Sequence, residues 1–328
     1  MEEYIKSNCS DYFRKIISPA TPYVLCNHCF STEIYKGNHK PIEVDITNVV
    51  YNGTNDLYKY RNIDKIKEGH IIQVQVDLLK LFVNEILPKI SCKIIIFTSQ
   101  SNLPQIHRSD LTDSLLANEK IILWISHNPI YTNNSKYMAF PFGLHLPRIH
   151  EYMGFLKENY NNCLDINVKT KECYNANIRI HGHLIHGHIR RDPFFKKANN
   201  IIDYNTFLKN ILNSKFTISL SGDRDDCYRH FESIGLNSIP ISDIFYKEIF
   251  GNNMISADKD EIIEIINGEK KIEFYNTNKD LLLIDYWRDK IEKRIGRKLI
   301  VEPDSSTRVN IDPHPTPKLI KDNFKMNF

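Results

Sequence analysis

Arg229 and Glu232 stand three residues apart in the run SKFTISLSGDRDDCYRHFESIGLNSIPISD, residues 214–243, and their spacing is the most informative chemistry in the chain. Residues three apart share one face of a helix. A guanidinium can grip phosphate through two parallel N–H bonds, and a carboxylate one turn further on can accept hydrogen bonds from sugar hydroxyls. Together they suit a diphosphate flanked by ribose and hexose. The same spacing also fits a plain surface ion pair on a capped helix, an arrangement worth about 0–1 kcal/mol. Ser221, Gly222, Asp223 and Tyr228 complete the candidate donor-binding set, because they fill the turn and the first helical turn beside the pair.

The flanking residues say what must hold this set in place. Residues 216–220 are apolar and β-prone, 221–226 form a polar turn, 227–236 have helical spacing, and 239–241 begin another buried strand. In an open α/β sheet, ligands bind beyond the carboxyl ends of the strands, where the free N–H groups of a helix attract anions. The candidate residues fall at that place.

Other clusters compete for attention. His181 and His183, and again His186 and His188, stand two apart, a spacing that puts both on one face of a strand as metal ligands can be. No carboxylate or cysteine stands near them as a further ligand, and Gly182 and Gly187 imply tight turns. A metal-dependent enzyme built on residues 181–188 is one alternative reading. Asp223 and Asp225 have the D-x-D form that holds a divalent ion against a diphosphate, yet they also suit turn and N-cap roles. Cys26 and Cys29 make a lone C-x-x-C with no second pair. For a general base the candidates are Asp77, His28 and His127, each expected just past a strand of the first half. Those strands are 69–76 for Asp77, which a helix over 78–87 follows, 22–26 for His28 and 120–125 for His127, with 138–144 expected as a further strand. An N-cap role for Asp77 and a packed-loop role for His127 are the plainer readings.

The run from Tyr204 through Ser214-Lys-Phe, Gly222, Asp226, Arg229, Glu232-Ser-Ile and Ile239-Pro-Ile resembles the donor-site signature of exostosin-like glycosyltransferases. About ten positions agree in order and spacing. Leu236-Asn-Ser238 and Leu220-Ser-Gly222 depart from the family pattern. The first half is similar too: a strand, Asp77, a helix ending in Leu87-Pro88 and a strand ending in Thr98-Ser99, then Trp124, His127, Asn128 and Pro141-Phe-Gly143-Leu144. The resemblance covers residues 69–267. It implies a GT-B-like α/β fold, two Rossmann-like domains facing each other across a cleft, and an inverting transfer from a nucleoside-diphosphate sugar to a glycan or glycoprotein acceptor, with no metal. It also implies that Arg190 or Arg191 meets the diphosphate from the facing turn. A module that binds carbohydrate or nucleotide but has lost catalysis is the other alternative.

Composition fits this frame. With 328 residues the chain has room for two domains, expected at 1–165 for the acceptor and 166–300 for the nucleotide-sugar, followed by a tail at 301–328. The linker is expected within 151–175, and a helix at 280–295 is expected to cross back onto the first domain. A net charge of +3 gives no basis for nucleic-acid binding. No run reaches the roughly 18 apolar residues of a membrane span. The seven scattered cysteines suit reduced thiols, and hence a cytoplasmic location, that of a host if the chain is viral. In lacking an anchor the chain looks more like soluble viral and microbial relatives of the family.

Overall fold

The computed structural model describes residues 1–6, 12–30, 36–37, 40–41, 49–52, 59–60, 63–99, 106–175, 189, 192, 194–195, 202–222 and 225–300. The strands among them are β1 (His28–Phe30), β2 (Lys36–Gly37), β3 (Lys40–Pro41), β4 (Val49–Asn52), β5 (Lys59–Tyr60), β6 (Ile71–Gln75), β7 (Ile94–Ser99), β8 (Ile121–Ser126), β9 (Tyr137–Ala139), β10 (Lys171–Tyr174), β11 (Ser214–Ile218), β12 (Ile239–Ser242) and β13 (Ile255–Ser256). Sequences such as IIIFTS in β7 and IILWIS in β8 are apolar on both sides of the pleat and buried nearly throughout. That is the pattern of strands covered on both faces, which parallel sheets require.

The first sheet runs β5-β4-β1-β6-β7-β8-β9. Every pairing in it is parallel except β4 with β5. The chain moves outward from β1 to β4 and then returns past β1 to β6, so the order reverses between β1 and β6. Such a reversal opens a crevice at the carboxyl ends of the two strands. The second sheet, β10-β11-β12-β13, is wholly parallel. The α/β class with Rossmann-like parallel sheets is therefore present.

Alternation along the strands divides the interior into layers. Ile72, Val74, Ile94, Ile96 and Trp124 pack on one side of the first sheet. Ile71, Ile95, Phe97 and Ile125 face the other way, into a core that also holds Leu208, Phe231, Ile234 and Trp287. The helices Ile149–Glu158, Tyr204–Leu212, Tyr228–Gly235 and Ile284–Ile295 contribute to this shared core, so residues of both halves are buried against each other. A third cluster, with Phe216, Ile218, Ile239, Ile241 and Ile262, covers the far side of the second sheet. The last helix does return to the first half. Trp287 lies 5.4 Å from Phe140, and Arg294 donates to the carbonyls of Ser135 and Tyr137 at 3.1 and 3.0 Å.

Four local expectations need correction. Residues 22–26 are not the first strand: Thr21–Leu25 is a helix, with Pro22 in its opening turn, where a missing N–H costs nothing and φ is already set. The strand over 138–144 stops at Ala139, and the segment then turns at Gly143, whose φ is +83°. A Cβ on Gly143 would lie 2.4 Å from the Ile17 carbonyl oxygen, so the backbones of the two segments are in direct contact. The expected linker at 151–175 carries a buried helical face, Tyr152, Met153, Phe155 and Leu156, and then β10, the first strand of the second sheet. The helix expected over 78–87 is irregular, with a wide π turn at Phe82–Ile86 between tighter turns.

Candidate functional site

Beyond β11 the chain turns through residues 219–222 and 225–227 and enters the helix Tyr228–Gly235. Side chains from the next strand hold this turn. Asp243, just past β12, accepts from the Ser221 backbone N–H and from its hydroxyl, both at 2.7 Å. Asp226 accepts the Phe142 backbone N–H at 2.7 Å, and Tyr246 donates to Asp225. Phe142 and His145 follow β9, and their rings lie 5.5 and 4.5 Å from the ring of Tyr228. The loop after β9 in the first sheet thus meets the loop after β11 in the second at their carboxyl ends.

Within the helix the two lead residues do not pair with each other. Among the described residues, no ion pair or hydrogen bond reaches Arg229. Its Nε and Nη1 are buried without an acceptor, and its guanidinium lies 5.7 Å from the Phe207 ring. Glu232 is buried and instead takes a hydrogen bond from the Tyr204 hydroxyl on Oε1, at 2.5 Å. No hydrogen bond among the described residues reaches its second oxygen. Burial pushes the Glu232 carboxyl up to about 7, against the opposing pull of the Tyr204 hydrogen bond and the Arg229 charge. Burial and the Glu232 charge likewise raise Tyr204. Arg148, from the first half, lies over the Tyr204 ring at 4.5 Å, while Tyr204 stacks on Phe207 with centroids 5.8 Å apart. Two guanidinia therefore flank a Tyr–Phe stack beside one buried carboxylate.

Two buried N–H groups left without acceptors cost about 1–3 kcal/mol each unless a ligand reaches them. The arrangement can thus receive an anion at Arg229 and the start of the helix, while the second oxygen of Glu232 accepts a neutral hydroxyl donor. The surface ion pair offered as the plain alternative for the Arg229–Glu232 spacing is not formed.

The remaining candidates are spread more widely. Ser221, Gly222, Tyr228, Arg229 and Glu232 lie together in the turn and helix just described. His127 lies just past β8, buried, with its ring 5.3 Å from Phe142 and 5.5 Å from Phe97. The same Phe142 touches Tyr228, so His127 is one ring away from the second-half loop. Asp77 lies in the turn Val76–Leu78 that follows β6, beside the β1/β6 reversal, and its side chain lies outside the described part of the structure. His28 needs correction. It begins β1 rather than following it, because the preceding apolar run is helical, so it sits at the amino end of the sheet. There its Nε2 lies 2.9 Å from His70 Nδ1, and burial and His70 lower it to about 4. It is buried and not brought near the loops after β8, β9 or β11. Arg190, Arg191, Asp223 and the histidines at 181–188 lie outside the described residues.

Sequence reading did not single out Tyr204, Arg148, His145 or Asp243 as site residues. The chemistry of Tyr204 was unreadable because its partner, Glu232, is 28 positions away. The same holds for Arg148, which reaches the site only through the packing of two halves. No protein-family model matches the chain, and no curated protein does.

Proposed function

We propose that the chain is an inverting glycosyltransferase of exostosin-like type that moves a sugar from a nucleoside-diphosphate sugar to a glycan or glycoprotein acceptor. The observation that carries this reading is Arg229, half-buried at the start of a helix with its buried Nε and Nη1 unsatisfied, one turn from a carboxylate with an open oxygen. A diphosphate satisfies the first group and sugar hydroxyls satisfy the second. The contact of the loops after β9 and β11 supports a GT-B-like arrangement, in which a first-half base faces a second-half donor.

In this reading the acceptor oxygen attacks the anomeric carbon in line as the bond to the diphosphate breaks, and the configuration inverts. His127 or Asp77 takes the acceptor proton. Arg229 and the helix N-terminus, joined by Arg190 or Arg191 as the resemblance implies, meet the negative charge that grows on the leaving group. A preorganised contact of this kind is commonly worth about 3 kcal/mol. The reading places the reaction in the cytoplasm.

A thermal-shift screen of nucleoside-diphosphate sugars, followed by a transfer assay with the donor that binds, tests this directly. The expected result is a donor that stabilises the wild type and is turned over, with both effects lost in Arg229→Ala and Glu232→Ala variants that still fold. Binding without turnover on a broad acceptor panel would instead mark a carbohydrate- or nucleotide-binding module. Near-normal transfer in either variant sinks the assignment.

A further inference from the structure

A nucleophile, a base within reach of it and a third group that orients the base make up the arrangement that activates thiols and hydroxyls. Cys227 Sγ lies 2.9 Å from Nδ1 of the fully buried His230. The Cys227 backbone N–H and carbonyl and the Ser219 hydroxyl also surround Nδ1, at 3.2, 3.1 and 3.2 Å. Nε2 lies 3.0 Å from Ser242 Oγ, and that hydroxyl donates in turn toward Asp243 Oδ1 at 3.4 Å. The Phe250 ring stacks on the imidazole at 5.4 Å and fixes its plane. The base is thereby held in place with Nδ1 against the sulfur.

From these contacts we propose that Cys227 is a nucleophilic thiolate activated by His230, and a site of modification by carbon electrophiles and hydroperoxides. The inference stands apart from the transferase reading. Cys227 is half-buried at the N-cap of Tyr228–Gly235, where free N–H groups favour a negative sulfur. The groups around the pair are Ser219 after β11, Asp226 in the turn, Ser242 and Asp243 at the end of β12, and Phe250. Burial alone pulls His230 down, but the Cys227 sulfur and the Asp226 carboxylate outweigh it and raise the imidazole above its ordinary value. The Cys26 contact and burial raise Cys29, while burial raises Cys92 and takes Cys163 up to about 11.

With an alkyl halide, the sulfur lone pair forms a C–S bond and the halide leaves, while the proton first taken by Nδ1 passes to water. With a hydroperoxide, the sulfur attacks the distal oxygen and the O–O bond breaks. Sulfur is oxidised to sulfenic acid, and the peroxide is reduced to alkoxide or hydroxide, which is then protonated.

The test is iodoacetamide labelling of the full chain with peptide-level mass analysis across a pH series. At about pH 6 Cys227 should react about ten-fold or more faster than Cys92 or glutathione, on a plateau and not on the rising limb of an ordinary thiol with pKa about 8.5. His230→Asn should remove that plateau, with Cys92 labelling unchanged. Should the buried substitution prevent folding, the wild-type profile decides alone. A Cys227 rate that rises through about pH 8.5 like that of glutathione overturns the proposal.

Discussion

Replacing Arg229 with Met separates a guanidinium kept for a ligand from one that stabilises the fold. Methionine fills similar space without charge or donors. Removing the guanidinium removes two buried unpaired donors, Nε and Nη1, and each such orphan costs about 1–3 kcal/mol. Against that gain stands the contact with the Phe207 ring, about 0.5–2 kcal/mol for a cation over an aromatic face. The attraction to Glu232 adds little at neutral pH, because that carboxyl sits at about 7 and is only partly ionised. The balance favours Met by about 3 kcal/mol at the middle of these ranges, and each kcal/mol corresponds to roughly 1–2 °C in Tm for a chain of this size. Urea unfolding and thermal melts of the free proteins measure this term. Melts with pyrophosphate measure the other side, where wild type should gain about 2.7 kcal/mol at a hundred-fold excess over Kd and the variant nothing. A variant that is less stable than wild type, or that keeps the pyrophosphate shift, refutes the reasoning.

Glu232→Gln makes a prediction about pH. The Glu232 carboxyl is raised from 4.5 to about 7, so the folded chain holds its proton more tightly than the unfolded chain does. That contribution to stability is whole below about pH 4.5 and is lost as pH rises to about 7, amounting to roughly 3 kcal/mol at 1.36 kcal/mol per pKa unit. The Gln variant should lack this decline, and urea midpoints that fall in parallel for both proteins across the window would show that the carboxyl is not so raised. Gly143→Ala should destabilise by about 2 kcal/mol or more, since it adds a Cβ at positive φ against the Ile17 backbone. An unchanged denaturation midpoint contradicts that contact.

The sequence by itself determined the elements with unbroken local patterns. The apolar runs of β6, β7 and β8, the strand-turn-helix-strand from Ser214 to Ser242, and the last helix with its stop at Gly296 were all legible, because each is set by neighbours a few positions apart. The short run at residues 22–25 was not, since four apolar residues fit a strand or a helix equally well and only packing against β6 and β7 chooses. Nor could the sequence show that Glu232 bonds to Tyr204 rather than to Arg229, or that Asp243 holds Ser221. Residue type and spacing offer a charged group its possible partners. Which partner it takes, and whether burial lets it stay charged, depends on which side chains the tertiary packing delivers to it from distant positions.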